Sequence, residues 1–258
     1  MMNYKKNWIS FYTLLRREIM RIISMWAETL LPPVITMGLY FVIFGSVMGS
    51  RIGFMDGIPY IQYIVPGLVM MAIINNSYMN VEFSFYLSRF QRNIEEILTA
   101  PMPNSLILSG YVGGGVFRGL LVGTLVLIVS LLFTQLDIHS WVLTLLISIL
   151  TSVLLSLGGL INGIFAKNFD DLSIVPMFVL TPLTYLGGVF YSVDLLPPIW
   201  RNLTYFNPIF YMVNGFRYAM SGISDISIQY AIAMLLIMVV VFYAICIWLL
   251  KKGIGIKT

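Results

Sequence analysis

The sequence predicts an all-α, polytopic membrane protein with six transmembrane helices. Three observations lead there. The chain is 59% hydrophobic and only 10% charged, with a mean hydropathy of +0.90, whereas soluble domains carry about 25% charged residues. Six apolar runs between about Leu30 and Leu250 approach or exceed the ~20 residues that a membrane helix needs. The polar breaks between them are short, so one domain fills residues 1–258. Lone Cys246 lies within the last run, which excludes an intramolecular disulfide and a cysteine metal site. The N-terminus lacks the pattern of a cleaved signal peptide.

Residues 8–28 read as an amphipathic helix at the membrane surface. Trp8, Phe11, Tyr12, Leu15, Ile19, Ile22, Ile23 and Trp26 share one face. Ser10, Thr13, Arg17, Arg21, Ser24 and Glu28 oppose them. Tryptophans at the boundary and a basic flank (Lys5, Lys6, Arg16) suit the headgroup plane. The first span follows at about 30–49, with Pro32-Pro33 expected in its first turn. After a loop with Arg51, Asp56 and Pro59, the second span covers about 61–85. Its far half carries Asn75, Asn76, Asn80 and Glu82. Asn76 and Asn80 share a face, and two roles stay open: lining a transport path, or hydrogen-bonding helices together.

Residues 86–104 form the main polar break. Phe90, Ile94, Ile97 and Leu98 make a narrow apolar stripe among Arg89, Gln91, Arg92, Glu95 and Glu96, and Pro101 and Pro103 end the helix. The third span, about 109–133, spaces Gly115, Gly119 and Gly123 by four residues, which lets another helix approach. Its glycines lack the Gly-Lys-Ser/Thr ending of a phosphate loop. Arg118 is expected to snorkel or to pair with another helix. The fourth span, about 141–165, repeats the small-residue stripe at Gly159 and Gly163. Residues 167–171 make a tight turn whose carboxylates, Asp170 and Asp171, read as solvated and as a helix cap, and His139 reads as a surface residue. The fifth span, about 172–190, holds Pro176 and Pro182, and the last covers about 229–250. Between them, residues 191–218 contain short apolar segments punctuated by Pro197-Pro198 and by Asn207-Pro208, a cap followed by proline at the first helical position. Such segments read as re-entrant.

Basic residues orient the chain. With both termini cytosolic, Lys5, Lys6, Arg16, Arg17, Arg21, Arg89, Arg92, Arg118, Lys167, Lys251, Lys252 and Lys257 fall inside or near it. Only Arg51, Arg201 and Arg217 fall outside, twelve against three.

The run GGVFYSVDLLPPIW, followed by NPIFYMVNGFRY, resembles the last extracytoplasmic hairpin of ABC-2 family exporter permeases. The resemblance extends over the chain and is nearest a compact bacterial inner-membrane subgroup that pairs with a separate ATPase. It implies an N-terminal helix that also touches the ATPase, although a plain membrane anchor fits the pattern equally. Arg89, Arg92, Glu95, Glu96, Ile97 and Leu98 match the family's coupling helix: a charged turn, then Glu, an apolar pair and Pro. The hairpin, with Pro197, Pro198, Asn207, Pro208 and Arg217, would dip into the outer leaflet and close the exit. Candidate path residues are Asn76, Asn80, Thr181 and Tyr185. No cofactor is expected on this chain. ATP and Mg would sit on two copies of a partner ATPase, and the other partners would be a second copy of the chain and membrane lipid, not nucleic acid. The family's cargoes are drugs, lipids and lipid-linked glycans. Two other classes compete with this reading: an intramembrane lipid or glycosyl transferase, and an ATP-independent carrier. The first needs a cluster of His, Asp, Glu or Lys at one membrane face, and the second mid-membrane charges and internal repeats. The sequence displays neither.

Overall fold

The computed structural model describes residues 4–94 and 102–255. Six helices are long and apolar enough to cross a membrane. Helix α1 (Tyr4–Ser24) precedes them. It ends at a turn on Met25, four residues short of the expected 8–28 boundary, because Thr29 Oγ1 donates to the Ile22 and Met25 carbonyls and pins a joint there. The first span, α2 (Trp26–Ile52), therefore starts earlier than 30. Pro32 and Pro33 consequently lie two turns inside the helix and not in its first turn. From Phe41 to Met48, α2 widens into a π-helix.

A minimal hairpin follows. Phe54–Met55 (β1) pairs antiparallel with Ile58–Pro59 (β2). Asp56 and Gly57 make the turn at φ 49° and 85°, the positive values that a tight two-residue connection requires. Helix α3 (Tyr60–Phe90) then runs 31 residues, about 46 Å at 1.5 Å per residue. It overshoots the expected 61–85 because residues 86–90 stay helical after leaving the apolar zone. The presumed separate helix at 86–104 thus begins as the last turn of α3. Pro103 takes the cap position of α4 (Asn104–Ser130), and the stretch before it, with Pro101, lies outside the described residues.

Helix α5 (Trp141–Phe165) is capped by Ser140, whose hydroxyl accepts from Leu143 N. Helix α6 (Phe169–Leu186) is capped by Asn168, with the expected Asp170 and Asp171 in its first turn, and carries a π-stretch at Pro176–Leu180. A 3₁₀ turn at Val193–Leu195, helix α7 (Pro198–Thr204) and helix α8 (Pro208–Ser221) make up the segment before the last span. Helix α9 (Ile228–Lys252) ends on Gly253 at φ 65°.

Helix α3 is the axis of the bundle. Its spanning window is 89% buried, against 11% for α2 and α6 and 17% for α9. Glycines bring its neighbours against its backbone. A side chain at Gly159 of α5 would strike the Tyr78 carbonyl, and one at Gly163 would sit 2.9 Å from that of Glu82. Gly119 and Gly123 of α4 seat Ser77 and Ile73. Both small-residue stripes are thus used within the protomer, and neither is left for a second copy.

Candidate transport machinery

At one end of the bundle a polar network ties α1 to α3 and α4. Leu14, Glu18 and Ile22 form the buried face of α1, and Trp8, Tyr12, Ile23 and Trp26 point outward. Leu14 packs over Gly110 and Glu18 over Gly114, so α1 lies along α4 on a glycine-lined seat. Glu18 is 1% exposed and accepts from Arg17 (3.1 Å), Arg21 (3.0 Å) and Ser84 Oγ (2.7 Å). Arg21 also donates to Asn80 Oδ1 at 3.0 Å. Arg17 donates to Tyr111 Oη at 3.0 Å, and that hydroxyl donates to Ser88. A carboxylate taken this far from water needs such a set of charge-assisted donors. The first twenty residues of α3, Tyr60 to Met79, rise about 30 Å, the thickness of a bilayer's hydrocarbon core. The network beginning at Asn80 therefore lies at headgroup depth.

The candidate coupling residues emerge from the same end. Arg89 is not free to face a partner: its Nη1 donates to the carbonyls of Gly163 (2.7 Å), Ile164 (2.6 Å) and Ala166 (3.1 Å), capping the C-terminus of α5. Arg92 is exposed, in a left-handed turn at φ 61°. Glu95, Glu96, Ile97 and Leu98 lie outside the described residues.

The four candidate path residues do not converge. Asn76 donates to the Ala72 carbonyl of its own helix at 2.9 Å, and Asn80 is held by Arg21. Both are packed between helices. Thr181 and Tyr185 lie on the exposed face of α6. The Thr181 hydroxyl donates to the Pro176 carbonyl at 2.9 Å, and the Tyr185 ring stacks on Phe190 with centroids 5.9 Å apart.

At the opposite end, the 191–218 segment is laced to the last turn of α6. The final carbonyls of a helix lack internal partners, and three side chains supply donors at this end. Asn207 Nδ2 donates to the Leu183 carbonyl (2.6 Å), Thr204 to that of Leu186 (3.4 Å) and Arg217 to that of Gly188 (2.5 Å). Asn207 Oδ1 meanwhile accepts from Ile209 N at 2.9 Å, the expected cap ahead of Pro208. Pro198 likewise opens α7, but with Pro197 before it and no side-chain cap. Arg217, which the charge count placed outside, is 1% exposed, with its guanidinium 4.0 Å from the centroid of the Tyr63 ring of α3. The start of α3 also donates through Tyr60 Oη to the Phe190 carbonyl at 3.0 Å.

Sequence reading missed Glu18 and the partner of Arg118. Glu82 is buried on α3 and accepts from Asn162 of α5. Arg118 donates to the Thr29 carbonyl at 3.3 Å, an oxygen left without its helical partner because Pro33 has no N–H to give it. The signal for Glu18 was available in the spacing of Leu14, Glu18 and Ile22 against Gly110 and Gly114. Among the described residues, no three His, Cys, Asp or Glu side chains form a metal-sized cluster.

A family profile described as ABC-2 type transporter matches residues 9–221. The chain is 55% identical over 251 residues to the Escherichia coli K12 protein named inner membrane transport permease YadH, covering 97% of this chain and 98% of that one. It is 25% identical over 209 residues to nodulation protein J of Sinorhizobium fredii, covering 81% and 80% of the two chains. The chain belongs to the ABC-2 type transporter family, as a multi-pass transport permease of the inner membrane.

Proposed function

We propose that this permease is the membrane subunit of an ATP-driven exporter. A separate ATPase pair binds ATP and Mg, and two copies of the chain move a lipid, drug or lipid-linked glycan outward. The observation that carries the reading is the position of α3. One end of this buried rod leads into the 86–104 segment, and the other touches the exit hairpin through Tyr60 and Tyr63. A push on the segment from a cytosolic partner would travel about 46 Å along a buried helix and reach the Phe190 carbonyl and Arg217 of α8 together. Arg89 passes the same push to α5 through its three carbonyl bonds. Cargo would travel past the exposed face of α6 that carries Thr181 and Tyr185, with both termini and the 86–104 segment cytosolic.

Glu95 is the carboxylate proposed to meet a basic residue of the ATPase, since Glu95-Glu96-Ile97-Leu98 carries the resemblance to the family's coupling helix. Glu95→Ala should lower export by the reconstituted pair about tenfold, the loss of one charge-assisted contact, while membrane levels stay unchanged. Glu96→Ala should be milder. Wild-type export by Glu95→Ala, or loss of expression alone, rejects the coupling role.

A further inference from the structure

Between α2, α3, α4 and α6 lies a cleft of about 360 Å³, whose lining includes Arg21, Glu28, Thr29, Glu82 and Arg118. It belongs to neither the hairpin nor the coupling segment. Its depth is set by α4: Gly115 and Gly119, on either side of Arg118, both lie against Ser77 of α3. Ser77 is seventeen residues from Tyr60, about 26 Å along the helix, so the cleft opens where hydrocarbon meets headgroups.

The charges in this cleft are unevenly satisfied. Arg21 is paired with Glu18 at 3.0 Å and with Asn80. Glu82 is occupied by Asn162. Arg118 has only the Thr29 carbonyl, and its Nε is buried without an acceptor. Glu28, adjacent to Thr29, is exposed and makes no ion pair among the described residues. One cation and one carboxylate, neither in an ion pair among the described residues, thus line the same cleft. A half-buried guanidinium at the membrane boundary is costly without an anion, and a phosphate placed there would also lie near Glu28.

We propose that this cleft holds the phosphoethanolamine headgroup of a membrane phospholipid as a resident ligand. The phosphate diester oxygens accept from Arg118, and the ammonium donates to Glu28. A choline headgroup has no N–H to give, and a phosphoglycerol headgroup carries no cation for Glu28. The site is independent of the cargo, which remains a separate question.

The test is retention of lipid by the full chain, purified in detergent without nucleotide or ATPase. Phosphatidylethanolamine, phosphatidylglycerol and phosphatidylcholine of the same acyl chains are added in equal amounts and bound lipid is counted by native mass spectrometry. Phosphatidylethanolamine should be held about tenfold better than either competitor, the worth of one charged hydrogen bond. Arg118→Gln should reduce it to the phosphatidylcholine level. Glu28→Gln, at an exposed position that folding does not depend on, should make phosphatidylethanolamine and phosphatidylglycerol equal. Equal retention of all three lipids by the wild type overturns the proposal, as does a preference that survives Glu28→Gln. Because no ATPase is present, these outcomes leave the export reading untouched.

Discussion

Helices α3 and α6 both cross the membrane and both contain proline, yet they are opposites. Pro66 lies inside α3, which stays regular through it. Neighbours hold the helix there on every side, and Gly67 lets the Val189 backbone approach closely enough that a side chain would meet its carbonyl. In α6, Pro176 and Pro182 bracket a π-stretch, and the helix is 11% buried in its window. The difference lies in support and not in sequence punctuation: a proline breaks a backbone bond in either helix, but only surrounded backbone is held to regular geometry. Helix α2 shares the second condition, with its own π-stretch and the same low burial. The protomer therefore pairs a buried axis with two thinly held outer helices.

The comparison is broken most severely at the anchor of the axis. Glu18→Ala leaves Arg17 and Arg21 without their carboxylate and Ser84 without its acceptor, a loss of about 3 kcal/mol. The thermal midpoint in detergent should fall sharply, and α1 should become open to protease. An unchanged midpoint would mean that the axis does not depend on this network. A smaller effect is expected where α6 meets the hairpin. Asn207→Ala removes both a helix cap and the bond to the Leu183 carbonyl, together about 1–2 kcal/mol. Hydrogen exchange should rise over residues 198–204 and leave α3 protected, whereas a uniform rise would join the hairpin to the axis as one unit.

How much of this was readable from the sequence follows from what faces lipid. Apolar runs revealed all six spans, because lipid contact demands apolar surface whatever lies behind it. The same fact hid the interior. On α1 most of the apolar face, with Trp8, Tyr12 and Ile23, turns outward, and the buried stripe of Leu14, Glu18 and Ile22 is centred on a glutamate. Boundaries slipped where a helix outlasts the hydrocarbon, as α3 does from Asn80 to Phe90. Asn207-Pro208 was legible because a cap is a local device. Arg89 and Arg217 were not, since their partners are carbonyls of distant helix ends and a carbonyl has no sequence signature. For the same reason the glycine stripes announced a close approach without naming the helix that makes it.

The smallest effect on stability should accompany a large one on transport, at Pro182. This residue is exposed, so replacing it leaves no cavity. Because its nitrogen carries no proton, the Phe178 carbonyl has no partner four residues on. Thr181 compensates by bonding back to Pro176 through both its amide and its hydroxyl, which is the register of the π-stretch. Pro182→Ala restores the missing N–H and favours a regular helix, since proline in a helix interior is intrinsically about 3 kcal/mol worse than alanine. The thermal midpoint should stay within a few degrees of wild type, or rise. If the π-stretch is the joint on which α6 bends while α3 stands still, the stiffened helix should export several-fold more slowly at an unchanged membrane level. Thr181→Val, which removes only the hydroxyl bond of about 1 kcal/mol, should move export less. Full export by Pro182→Ala with a regular α6 would assign the bending to α2, whose π-stretch from Phe41 to Met48 is then the segment to straighten.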